Sequence, residues 1–153
     1  MKTLSSVIKV IGLFFMLIII VSFGKLAGYA SKAGLGYLFS PSIEEELAET
    51  AKKYNNNLPM MVDKDTRLDY TIGGSGKTFT YFYTLPSNPS TDYDRASFRA
   101  EITPIVKANV CKLTGMKPFF KAGITAFYVY RGNDGVEIAR LAITPQDCGI
   151  TPN

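Results

Sequence analysis

The hydrophobic pattern of this chain changes period several times, and each change marks an element. Between Val10 and Gly24 there is no period at all. VIGLFFMLIIIVSFG is fifteen residues without a charge, with Lys2 and Lys9 before it and Lys25 and Lys32 after. Burying so many large apolar side chains stabilises a segment in a bilayer far more than a lone helix in water could recover. At about 1.5 Å per residue the run spans about 22 Å, and snorkelling lysines extend it towards the ~30 Å hydrocarbon slab. Residues 4–24 are therefore expected to contact a membrane as a signal anchor. The alternative is cleavage after Gly28-Tyr29-Ala30, which would leave a soluble periplasmic protein. Lys25 and the apolar stretch LAGYASKAGLGYLF around that site favour retention. The small excess of positive charge before the run favours an N-inside orientation, with the rest of the chain in the periplasm and a single pass through a bacterial inner membrane.

From Ser42 the period becomes helical. Ser42-Ile43-Glu44-Glu45 reads as a capping box behind Pro41, and Ile43, Leu47, Ala51 and Tyr54 share one face. Asn55-Asn56-Asn57 and Pro59 end this helix near residue 55. The period then falls to two. Leu68, Tyr70 and Ile72 alternate with Arg67, Asp69 and Thr71, Gly73-Gly74-Ser75-Gly76 turns the chain, and Phe79, Tyr81, Tyr83 and Leu85 alternate on the way back. Beyond a polar loop, Asp92 or Thr91 can cap a second helix carrying Phe98, Ile102, Val106, Val110 and Leu113. Pro104 is expected to kink that helix or to restart it behind Thr103. A last hairpin follows, with Ile124, Ala126, Tyr128 and Tyr130 outbound, a Gly132-Asn133-Asp134-Gly135 turn, and Val136 to Thr144 returning.

These elements give an α+β class: an N-terminal transmembrane or signal-anchor helix, then a small domain in the order α-ββ-α-ββ. Two hairpins would join into one four-stranded antiparallel sheet packed by helices. Residues 1–39 form the anchor with a juxtamembrane segment rich in small residues, and residues 40–153 form one domain of ample size for a core.

Charge corrects a first impression. The net +4 arises entirely in the first 43 residues, which hold four lysines and no acid; from Glu44 onward thirteen cations balance thirteen carboxylates. A neutral domain lacks the concentrated basic surface that phosphate backbones require, so nucleic acid is not an expected partner.

Two stretches resemble chemical motifs. Gly73-Gly74-Ser75-Gly76-Lys77-Thr78 looks like the end of a phosphate-binding loop, but Thr71 stands where that motif needs glycine, and strand period rather than a helix follows. Asp63, Asp65 and Asp69 lie near the spacing of a calcium loop, but Arg67 and Leu68 occupy its donor and glycine places. The chain has no histidine, so common zinc sites and Cys/His nucleophiles are poorly supported. No catalytic residue, cofactor or metal ligand is assigned. Cys111 and Cys148, an even pair in an exported domain, are expected to form a disulfide closing a loop of about 37 residues. Tyr81, Tyr83, Tyr128 and Tyr130 share one strand phase. On an uncovered face they would make an aromatic partner surface; under the helices they would be core.

LPMMVDKDTRLD, the YFYTL strand and the closing AITPQDC resemble a scattered group of small exported or membrane-anchored bacterial proteins of uncharacterised function, over about residues 58–148. The resemblance implies export and a paired cysteine and carries no activity. The leading expectation is thus a membrane-anchored, non-catalytic accessory domain on the extracytoplasmic side, with a protein partner. An inhibitor or immunity protein against a toxic enzyme, and an enzyme using Ser, Lys, Asp or Glu, are the alternatives.

Overall fold

The computed structural model describes residues 41–153. The membrane contact expected at residues 4–24 therefore lies outside the described residues. Among the described residues, no helix is long and apolar enough to cross a membrane.

Helix α1 (Ile43–Asn55) starts where its cap demands. The Ser42 hydroxyl accepts from the Glu45 amide, and the Glu45 carboxylate accepts from the Ser42 amide at 2.7 Å. Three glutamates in the first turn and two lysines in the last suit the helix dipole. Leu47 and Ala51 are buried, and Ile43 and Tyr54 pack at the edge of the same core.

The sheet follows, with strands β1 (Met60–Met61), β2 (Arg67–Gly74), β3 (Thr78–Leu85), β4 (Thr125–Gly132) and β5 (Glu137–Ile143) in that spatial order. It has five strands rather than four and it is mixed rather than antiparallel. Both expected hairpins form, β2–β3 and β4–β5, but they meet along a parallel seam between β3 and β4, with Thr78 beside Thr125 and Leu85 beside Gly132. The reason is the connection. Helices α2 (Arg95–Lys112) and α3 (Met116–Lys121) carry the chain back to the end of the sheet where β3 began, so β4 must run in the same direction. The extra strand β1 is two residues long, too short to show a period, and pairs Met60 and Met61 with Leu68 and Arg67.

Helix α2 is capped by Asp94, whose carboxylate accepts from the Ser97 amide, and not by Thr91 or Asp92. Residues 90–92 instead form a short 3-10 turn. The helix runs unbroken through Pro104, with no restart behind Thr103. Pro104 is exposed, so the carbonyl it deprives of a partner can face water. Phe98, Ile102, Val106 and Val110 line the buried stripe.

All three helices contribute to one core, against one face of the sheet. Gly73 sets the closest approach. A Cβ there would lie 2.3 Å from the Leu47 backbone carbon, so glycine lets α1 lie directly on β2.

Candidate functional site

The four tyrosines are not a partner surface. Tyr81, Tyr83, Tyr128 and Tyr130 are 6%, 1%, 1% and 2% exposed and sit in the core on the helix-covered face. Parallel register sets Tyr81 beside Tyr128 and Tyr83 beside Tyr130, so the rings stack across the seam with centroids 5.1 and 5.2 Å apart. Tyr83 also stacks on Tyr128 at 6.4 Å, giving one continuous row. Burial pushes all four phenols well above the ordinary tyrosine range, because a phenolate there would lose its hydration. Neighbouring tyrosines add to this at Tyr83 and Tyr128, and Asp63 adds to it at Tyr130.

Cys111 and Cys148 form a disulfide, with Cα atoms 5.1 Å apart. It ties the last turn of α2 to the 3-10 turn after β5, which a second contact also holds. The Asp147 carboxylate accepts from the Thr144 amide and hydroxyl and from Lys107 at 2.9 Å, and these bonds lower its pKa to about 2. The glycine-rich turn joins β2 to β3, and no helix begins there to meet a phosphate. Lys77 adopts a positive φ of 56°, and its ammonium donates to the Ala122 carbonyl at 3.3 Å. The three aspartates of the calcium-like stretch do not converge. Asp63 accepts from the Asp65 amide, while Asp69 accepts from Arg67 and the Thr84 hydroxyl.

The opposite face of the sheet carries the surface that pattern reading missed. A β-bulge between Leu68 and Tyr70 shifts the phase of β2, so Leu68 and Thr71 turn to the core while Tyr70 and Ile72 point away. Thr71 is held under α1 by the Ala51 carbonyl and by Asn55, whose side chain bonds both the amide and the carbonyl of Thr71. On the outer face, register places Tyr70 beside Phe82, Phe82 beside Val129, and Val129 beside Arg140. Tyr70 stacks on Phe82 at 4.4 Å. The Arg131 guanidinium lies 4.7 Å from the Phe82 ring centre and donates to the Tyr70 hydroxyl at 3.0 Å. Phe82 and Val129 are buried, yet neither belongs to the core cluster; the Tyr70 ring and the Arg131 guanidinium lie against Phe82. Around them lie half-buried Phe127, exposed Ala142 and Ile72, the last 47% exposed. Among the described residues, no helix packs on this face. Chemically it offers a fixed cation framed by aromatic and aliphatic surface. No sequence signal marked it, because Asp69, the bulged residue, continues an unbroken polar–apolar alternation.

Residues 42–139 match the family described as a domain of unknown function, DUF8479. The chain belongs to that family. The match runs from the Ser42 cap into β5 and so takes in both hairpins' seam and all three helices. No curated protein matches the chain in sequence. Solved structures share the fold at low identity. A candidate secreted protein from Pseudomonas aeruginosa is 15% identical with a TM-score of 0.61, covering 76% of this chain and 99% of its own. The type 2 secretion system pilotin of Vibrio vulnificus is 13% identical with a TM-score of 0.56, covering 72% and 94%. The type II secretion system pilotin of Vibrio cholerae is 16% identical with a TM-score of 0.54, covering 69% and 92%.

Proposed function

We propose that the protein is a non-catalytic accessory domain, held by residues 4–24 on the outer face of a bacterial inner membrane, that binds a protein partner through the sheet face on which no described helix packs. The observation that carries the reading is that face itself, a rigid platform of Tyr70, Phe82 and Arg131 rimmed by exposed Ile72 and Ala142. Platforms of aromatic residues and arginine are favoured where proteins meet, because they bury much area at little entropic cost. Excess arginine over acid here suits a partner segment that combines apolar and acidic side chains. The disulfide supports an oxidising compartment. The fold shared with a candidate secreted protein and with two pilotins supports an extracytoplasmic interaction role rather than catalysis. The dispersal of Asp63, Asp65 and Asp69 and the hairpin geometry at Lys77 weigh against the enzyme alternative.

The test is crosslinking of the full-length chain in intact cells, followed by recovery from membranes, for wild type beside an Ile72→Glu/Phe127→Glu variant. A partner recovered with wild type and lost with the variant is the expected outcome. Identical recovery from both would retire this face as the binding surface, and a cytoplasmic signal from a reporter fused after Asn153 would retire the topology.

A further inference from the structure

Lysines outside any ion pair of the described residues gather at one end of the sheet. At one end lie the β2–β3 turn, the start of β4 and the end of β5, brought together by the register of Gly74 with Thr78, Thr78 with Thr125 and Ala126 with Ile143. Helix α3 closes this end, for Lys77 reaches the Ala122 carbonyl and the Thr125 amide donates to the Lys77 carbonyl at 3.0 Å. Lys77, Lys117 and Lys121 are thereby gathered, with Lys112 a few residues away at the end of α2. From Ile102 to Asn133 the chain carries five cations and no carboxylate. Among the described residues, none of the ion pairs involves these four lysines, and residues 1–40 contain no acid that could pair with them. The opposite end mixes both signs, with Lys64, Arg67, Arg95 and Arg131 among its aspartates. Six of the seven aspartates lie there: Asp63 and Asp65 before β2, Asp69 at its start, Asp92 and Asp94 before α2, and Asp134 in the last turn.

The first turn of α1 belongs to the lysine end. Leu47 lies against Gly73, while Ala51 and Asn55, further along the helix, bond Thr71, further from the turn. The chain therefore enters the domain at Pro41 from the lysine end. We propose that Lys77, Lys112, Lys117 and Lys121 form a membrane-facing surface that rests on the anionic headgroups of the bilayer holding the anchor, with the aspartate end turned away. This rests on the membrane-anchored reading above. Each lysine near an anionic surface is attracted within a Debye length, while the mixed charges at the far end lie beyond the reach of that field. Carboxylates at the lysine end oppose the arrangement: Glu44, Glu45 and Glu46 on α1, and Asp147 after β5, which pairs with Lys107 at 2.9 Å. The three glutamates sit at the positive end of the α1 dipole, which offsets part of their charge. Helix α1 lies over β2 and α3 packs on Phe79 of β3 and closes the start of β4, so one to two strand spacings, about 5–10 Å, separate the two groups. At that distance screening is incomplete, so the glutamates reduce the attraction carried by the four lysines without cancelling it.

The experiment reconstitutes the full-length chain in nanodiscs of phosphatidylcholine alone or with one third phosphatidylglycerol, and reads lysine acetylation rates by mass spectrometry. Lys77, Lys112, Lys117 and Lys121 should react roughly fivefold more slowly in the anionic discs, the factor one lysine gains from such a surface. High salt should abolish the difference, and Lys52, Lys53 and Lys64 should serve as unaffected references. In a Lys117→Glu/Lys121→Glu variant, whose two positions are exposed, the protection of Lys77 and Lys112 should disappear. Equal rates in both lipids for a chain that has inserted would overturn the proposal. A chain that fails to stay with the discs would instead overturn the anchored reading on which it rests.

Discussion

The two faces of this sheet are built from the same residue types and serve different ends. On the helix-covered face, Tyr81, Tyr83, Tyr128 and Tyr130 form a stacked row closed from water. On the outer face, Tyr70 stacks on Phe82 and shares its arginine with solvent. The aromatic content is alike; the difference lies in what covers it. Aromatic strand residues therefore say little about whether a surface is core or interface until the layer above them is known.

Three measurements put that contrast at risk. The largest effect should come from truncating adjacent residues on β4 that point to opposite faces. Tyr128→Ala should lower unfolding free energy by about 3–5 kcal/mol, as for a large side chain fully enclosed, while Phe127→Ala should cost about 1 kcal/mol or less. Comparable losses from chemical denaturation of the two variants would mean that the outer face is as enclosed as the core. Next comes the alkaline limb of stability. The four core phenols have raised folded pKa values, so their contribution is fully present below about pH 10, the unfolded value, and is lost as pH rises towards the folded ones. Tyrosinate absorbance should thus appear in step with loss of circular dichroism above about pH 10, whereas ionisation of all tyrosines before unfolding would contradict a closed row. The smallest effect should follow Arg131→Ala, which removes the cation from Phe82 and the donor from Tyr70; a loss of about 1 kcal/mol is expected at a partly exposed site of this kind. A calorimetric change several times larger would give the outer face a structural rather than an interactive role.

Much of the architecture was legible because local rules acted undisturbed. The Ser42–Glu45 cap and the stripe of Ile43, Leu47, Ala51 and Tyr54 place α1 at 43–55, as the structure has it. Both hairpin turns lie where their glycines stand, and Cys111 meets Cys148. The failures share a cause, which is that one residue or one connection changed a global relation while leaving local patterns intact. The bulge at Asp69 reversed the faces of Tyr70 and Ile72 without altering the strand's composition. Pro104 fell on a solvent face, where losing a hydrogen bond is cheap, so of the two expected outcomes the restart behind Thr103 did not occur. The direction of β4 relative to β3 was set by where α2 and α3 delivered the chain, which no period within either hairpin records. The candidate site inherited these errors. A tyrosine row assigned by strand phase alone could lie on either side, and the face that remains open was hidden by the bulge.

The parallel seam also governs the order in which the molecule can assemble. Each hairpin closes between near neighbours in sequence, but Thr78 must wait for Thr125, beyond both intervening helices. During synthesis β3 emerges with one edge paired to β2 and the other, with its Phe79, Tyr81 and Tyr83 side chains, bare. Non-local closure is slow because loop entropy must be lost before contacts compensate. Until the second hairpin arrives, the first is a half-sheet with an adhesive border, the kind of species that pairs with a neighbouring chain. The interval between the two hairpins is thus the period when this protein is most exposed to aggregation, and most in need of a chaperone or of rapid completion.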